Sequence, residues 1–340
     1  MIEMLLGVVG AGWLGGHWLI RRGLRAPRVA DDATPAGVAW QAVALPTANG
    51  KTLRGWWIPA GDQAPALAVI HGWGGNAAMM LPLVAALHGA GYGLLLFSAR
   101  NHGASDSDTF SSLPRFAEDL EHAFDWLRAR PEVDATRIGL LGHSVGAGAA
   151  LMVAARRREV AAVVSLAAFA HPAGMMRRWL RWKGIPYRPF GWYVLAYVQH
   201  VIGHRFDDIA PRGRIADVAC PVLLVHGTED ATVPVAEAHE ILAAARPGQA
   251  AGFQGHDPGR GPRARRRRPS SAKRPAPFGI CSTAWRLKSF EKMRGTVITR
   301  RPSDWSRFSE VFDSSARARK VAVESMDRVR DAMKIRYRRD

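Results

Sequence analysis

Ser144 stands at the centre of Gly142-His143-Ser144-Val145-Gly146. That spacing suits one kind of chemistry, attack by an activated serine hydroxyl. An apolar run, residues 138–141, precedes it, and the small-residue stretch Ala147-Gly148-Ala149-Ala150 follows. The pattern reads as strand, sharp turn and helix, with the serine at the apex of a nucleophile elbow. The turn demands small neighbours, and Gly142 and Gly146 let strand and helix approach closely. The hydroxyl then projects beside the first amides of a helix, where N–H groups and the helix dipole favour developing negative charge.

A serine hydroxyl is a weak nucleophile at neutral pH. It needs a base, a group that orients the base, and donors for the oxyanion. The donors are expected in His71-Gly72-Trp73-Gly74-Gly75-Asn76, which follows the apolar run 66–70. Its glycines let backbone amides turn inward, so the Trp73 and Val145 N–H groups are the expected oxyanion hole. The orienting acid is expected in Val225-His226-Gly227-Thr228-Glu229-Asp230, after another apolar run. Asp230 is preferred to Glu229 because it ends the tight turn. Asp106, Asp108 and Asp207 read as surface acids. The best candidate for the base is His256, in Gly255-His256-Asp257, 26 residues after Asp230.

Loops at strand ends must carry these groups, and the hydrophobic pattern supplies the strands. Residues 38–45 and 52–58 alternate like a hairpin around Ala48-Asn49-Gly50. Short buried strands are expected at 66–70, 93–97, 137–142, 160–166 and 221–225. Helices are expected at 77–90, 113–130 and 236–245, the second with Phe116, Leu120, Phe124 and Leu127 on one face. Strands alternating with helices predict an α/β fold whose mostly parallel sheet is flanked by helices on both faces. The insert at about 169–217 is rich in bulky aromatics and reads as a helical lid. Its Trp179, Trp182 and Trp192 are expected to bind an apolar part of the substrate.

Residues 38–250 resemble the α/β-hydrolase superfamily. They are most similar to bacterial serine hydrolases of the serine-aminopeptidase, monoacylglycerol-lipase and prolyl-oligopeptidase-like kind. The matching pieces are His71-Gly72-Trp73-Gly74-Gly75, Phe97-Ser98-Ala99-Arg100-Asn101-His102-Gly103-Ala104-Ser105, the elbow, and His226-Gly227-Thr228-Glu229-Asp230 with Val233-Pro234. The resemblance implies an α/β-hydrolase fold with an eight-stranded sheet, a Ser…Asp…His order and hydrolysis through an acyl-enzyme. A small-molecule carboxylic ester is the expected substrate, with a thioester or peptide bond less favoured. No metal or organic cofactor is required. The alternative is a catalytically impaired, membrane-associated binding protein without a functional triad histidine. The family also implies a last strand followed by Gly-x-Gly-His, and here residues 251–254 make a poor strand.

The ends of the chain differ from its middle. Residues 4–20 are apolar apart from His17, and Arg21, Arg22, Arg25 and Arg28 follow. The run has no basic start and no small-residue cleavage site, so it reads as an N-terminal membrane anchor with its basic flank, over residues 1–30, in preference to a signal peptide or a peripheral helix. The positive-inside rule then predicts a single-pass protein of the cell inner membrane with its catalytic domain in the cytoplasm. The net charge of +18 is uneven: residues 1–250 carry 23 Lys+Arg against 20 Asp+Glu, and residues 251–340 carry 24 against 9. Residues 251–340 thus read either as a basic tail suited to anionic lipid or as out-of-frame translation of a GC-rich gene. No aromatic stacking platform or zinc motif accompanies the charge, so nucleic acid is not an expected partner. Cys220 and Cys281 lack metal-ligand spacing, and Cys220 adjoins an apolar strand.

Overall fold

The computed structural model describes residues 2–227, 230–246, 250–252 and 295–296. Helix α1 (Ile2–Gly23) leads into an irregular stretch and then strands β1 (Gln41–Thr47), β2 (Lys51–Ile58) and β3 (Ala64–Ile70). A 3-10 turn at Ala77–Leu83 continues as α2 (Val84–Gly89), because Pro82 spoils a single α-helix over the expected range. Strand β4 (Gly93–Ser98), α3 (Leu113–Arg128), β5 (Val133–His143), α4 (Val145–Arg156) and β6 (Ala162–Leu166) follow. The insert holds α5 (Pro172–Trp182), α6 (Trp192–Ile202) and α7 (Pro211–Arg214). Strand β7 (Val222–Gly227), α8 (Ala236–Ala244), β8 (Ala250–Gly252) and β9 (Gly295–Thr296) complete the described elements.

The sheet order is β1-β2-β4-β3-β5-β6-β7-β8. β1 and β2 form the expected hairpin, with Thr47 opposite Lys51 and Asn49 at φ 61° in the turn. β2 pairs antiparallel to β4, and the strands from β4 to β8 run parallel. β8 occupies the place of the final strand despite its poor sequence, and among the described residues three pair, from Ala250 against Val222 to Gly252 against Leu224. β9 pairs antiparallel to β7 at His226 and Gly227.

Alternate residues of the central strands enter two cores. Ala66, Ala68, Ile70, Leu95 and Phe97 pack with α3 and α4, whereas Leu67, Val69, Leu94 and Leu96 pack with Ala77, Met80 and Val84. Burial on both faces explains why these strands read as continuous apolar runs. On α3, Phe116, Leu120, Phe124 and Leu127 are buried as the periodicity predicts, and Ser112 caps the helix by accepting the Arg115 amide. Burial raises the Cys220 thiol to about 12, so it is an inert strand-edge cysteine.

The N-terminal run lends the expected anchor no support. It forms a helix of 22 residues, but no helix among the described residues is long and apolar enough to cross a membrane. Six glycines and His17 dilute its hydropathy, and Arg21 and Arg22 occupy its last turn. Its side chains engage the insert instead. The His17 ring stacks on Tyr197 at 3.9 Å between centroids and hydrogen-bonds the Tyr193 hydroxyl. Arg21 Nε donates to the Tyr197 hydroxyl at 2.9 Å.

Candidate active site

β5 ends at His143 and α4 begins at Val145, leaving Ser144 alone in the turn with φ 55° and ψ −115°. With ψ at −115° the serine lies outside the left-handed region that the turn residue Asn49 occupies, and backbone strain of this kind clusters at active sites. The surroundings enforce it. A Cβ on Gly142 would lie 2.1 Å from the Gly146 carbonyl oxygen, and one on Gly146 would lie 2.4 Å from the His71 carbonyl oxygen. The Ser144 amide donates to the Leu166 carbonyl at 2.8 Å, and its own carbonyl accepts the Gly148 amide at 3.1 Å. α4 is buried from Val145 to Ala154, which requires the small residues read after the elbow.

The glycine loop after β3 comes directly to the serine. A Cβ on Gly72 would lie 3.1 Å from Ser144 Cβ. Among the described residues neither the Trp73 amide nor the Val145 amide meets an acceptor, leaving both able to receive an oxyanion. The Trp73 side chain is half-buried against the core.

Two histidines without a role in the sequence reading hold this loop. His71 Nε2 accepts the Ala99 amide at 3.0 Å, so its Nδ1–H donates to the Gly72 carbonyl at 2.7 Å. His102 Nε2 accepts the Gly74 amide at 3.1 Å, and its Nδ1–H donates to the Arg100 carbonyl at 2.8 Å. Both rings are therefore neutral and of one tautomer. Burial pushes His102 down to about 4, opposed by the Arg100 carbonyl and reinforced by Arg28. Burial, with His102 next, lowers His71 well below its ordinary value. The available signal was a histidine beside a glycine just after each of two adjacent buried strands.

Residues 24–31, read as anchor flank and the start of a linker, form a strap across the same loop. Pro27 Cγ would meet a Cβ on Gly74 at 3.1 Å. Asn76 Nδ2 donates to the carbonyls of Val29 at 3.3 Å and Ala30 at 2.7 Å, while its Oδ1 accepts the Met79 amide. Arg28 donates to the Gly103 carbonyl and to Ser107, and Asp31 accepts the Ala104 amide at 3.2 Å. Beneath the strap, the buried Arg100 guanidinium pairs with Asp119 at 2.7 Å, Glu118 at 2.6 Å and Asp108 at 3.1 Å. Asp108 is thus a buried ion-pair partner rather than a surface acid. Asp207 is exposed as read, against His171.

Asp230 follows β7. Its Oδ1 accepts the Thr232 and Val233 amides at 2.8 and 3.0 Å, which fixes the carboxylate, and among the described residues no donor hydrogen-bonds Oδ2. Asp230 lies close enough to His143 to act on it: burial pushes His143 down to about 4, while Asp230 works to raise it. His226 Nε2 is 3.9 Å from Asp230 Oδ2, but its Nε2–H is spent on the Val233 carbonyl at 2.7 Å. His226 is therefore not free to serve Ser144 as a base. His256, the candidate from the sequence, lies outside the described residues.

The lid tryptophans separate. Trp179 is half-buried, with its ring against Gly23 of α1 and Lys183 over its face. Trp182 is 38% exposed and Trp192 61%, so neither is enclosed as a pocket wall would be. Among the described residues no three His, Cys, Asp or Glu side chains gather as metal ligands.

The strand order, the strained serine between β5 and α4, and the glycine loop after β3 define an α/β-hydrolase, and the chain belongs to that superfamily. The α/β hydrolase fold family matches residues 65–184. An uncharacterised Mycobacterium tuberculosis protein is 30% identical over 220 residues, covering 64% of this chain and 70% of the relative. A Penicillium polyketide transferase is 32% identical over 139 residues, 40% of this chain and 47% of the relative. Among solved structures, a Pyrococcus furiosus esterase matches with a TM-score of 0.53 at 24% identity, covering 65% of this chain and 82% of that one. This last likeness is one of fold.

Proposed function

We propose that the chain is a serine hydrolase that cleaves a small carboxylic ester through an acyl-enzyme. The observation that carries this reading is the positive φ of Ser144, held at an elbow against Gly72 of the glycine loop. Ser144 Oγ attacks the carbonyl carbon while a histidine takes its proton. The carbonyl oxygen becomes an oxyanion and meets the Trp73 and Val145 amides. The protonated histidine then gives its proton to the leaving alcohol, and water repeats the cycle on the acyl-serine. Asp230 orients the imidazole through its Oδ2, and His256 is the base that the sequence offers. A thioester or peptide bond fits the same chemistry, and catalysis needs neither metal nor organic cofactor.

A second reading has one observation in its favour. His143 and His226 are both committed to buried positions beside Asp230, so without His256 the triad lacks its base and the protein is a hydrolase-like binding protein. Labelling with a fluorophosphonate probe separates the two. The parent should label and Ser144→Ala should not, and an unlabelled parent overturns the enzyme reading for this chain.

A further inference from the structure

Large apolar side chains are exposed in two places that touch each other. Ten such residues are exposed among the described residues, and all but Trp40 lie at residues 13–19 or 182–193. On α1 these are Trp13, Leu14, Trp18 and Leu19, each 57–63% exposed, and on the insert Phe190 and Trp192 are the most exposed at 62% and 61%. The His17–Tyr193 and Arg21–Tyr197 hydrogen bonds join the two segments into one face. An exposed apolar concentration of this kind marks a binding surface rather than ordinary surface residues.

Charge identifies the occupant. The chain has no acidic residue between Glu3 and Asp31, and none between Glu159 and Asp207. Those two stretches carry ten Arg and Lys residues. Of the ten, only Arg178 forms an ion pair among the described residues, with Glu237. A second copy would set cations against cations, and residues 251–340, with 24 Lys+Arg against 9 Asp+Glu, would be repelled likewise. Tryptophan and tyrosine interleaved with unpaired Arg and Lys match the boundary of an anionic bilayer, where rings enter the headgroup layer and cations meet phosphates.

We propose that α1 and the insert together form a docking face for an anionic lipid surface, with α1 lying in the plane of the interface instead of crossing it. Docking does not depend on the chemistry at Ser144. Because α1 runs directly into residues 24–31 over the glycine loop, the docked surface sits one strap away from the serine.

The test is co-sedimentation of the full-length Ser144→Ala protein with phosphatidylcholine vesicles, with and without phosphatidylglycerol, at low and high salt. The unaltered face should bind phosphatidylglycerol vesicles, more weakly at high salt. A variant with Trp18→Ser, Phe190→Ser and Trp192→Ser should lose binding at least about tenfold at both salts. A variant with Arg22→Gln, Arg181→Gln and Lys183→Gln should lose about fivefold per charge at low salt and little at high salt. All six positions are exposed, so thermal midpoints should match the parent. Equal binding by parent and apolar variant would assign the attraction to the basic C-terminal residues and overturn the proposal. So would a parent that ignores vesicles, whether it stays monomeric or self-associates through this face. Fluorophosphonate labelling of the Ser144-containing chain is scored separately, so either reading can fail alone.

Discussion

His102 Nε2 accepts the amide hydrogen of Gly74 at 3.1 Å, and this bond ties the loop beside Ser144 to the loop after β4. An imidazole can accept there only while neutral, and its Nδ1–H is held by the Arg100 carbonyl. His102 is therefore a positioning residue that acts through the glycine loop. His102→Ala should lower kcat on a model ester roughly 10-fold or more, with KM little changed, since an oxyanion donor removed outright costs about 100- to 1000-fold. His102→Gln, whose amide oxygen can accept the same N–H, should recover part of the rate. Equal loss in both variants would reduce His102 to a packing role.

Ser144 should show a trade between stability and chemistry. Its strained backbone costs on the order of 1–3 kcal/mol, which glycine relieves at some cost in unfolded-state entropy. Ser144→Gly should therefore unfold in denaturant at about 1 kcal/mol higher stability than the parent while losing all fluorophosphonate labelling. A destabilised glycine variant would contradict the strain.

Asn76, at the end of the glycine loop, holds the strap through two hydrogen bonds donated by its buried Nδ2, while its Oδ1 caps the following turn by accepting the Met79 amide. Asn76→Ala leaves two strap carbonyls and one amide without that partner, at a cost of about 2–3 kcal/mol. Limited trypsin digestion should then cut after Arg25 or Arg28 faster than in the parent. An unchanged cleavage rate would mean that the strap is held elsewhere.

Acid should unfold the domain early. Burial is the leading cause that holds His102 and His143 down to about 4. In the unfolded chain both titrate near 6.5. Between those values the unfolded chain binds more protons, so stability is full above about pH 6.5 and falls as pH drops toward about 4. At pH 5 each of the two should remove about 2 kcal/mol, read as a falling denaturant midpoint. A midpoint constant from pH 7 to pH 5 would contradict their neutral burial.

Residues 251–340 carry a prediction about the gene. Among the described residues β8 pairs through three residues, and the charge balance changes there. If the reading frame shifts near residue 251, one of the other two frames should encode an apolar strand followed by Gly-x-Gly-His. Absence of that pattern from both frames would leave the basic segment as the chain's own sequence.

The elbow, the glycine loop, the Asp230 turn and the α/β order were legible in the residues. Each depends on interactions local in sequence: glycines where a turn tolerates no Cβ, and apolar runs where a strand is buried on both faces. Three features required the tertiary structure. The tautomers of His71 and His102 come from partners 28 residues away, Ala99 for one and Gly74 for the other. The strap is a loop whose long-range hydrogen bonds reach residues 46 to 87 positions distant, and periodicity carries no record of them. The N-terminal run reads as an anchor because residues 4–20 carry no charged side chain apart from His17, yet its glycines leave no described helix apolar enough to cross a membrane. Which surface α1 covers was decided by His17 and Arg21 finding tyrosines 176 residues later, a contact that only folding creates.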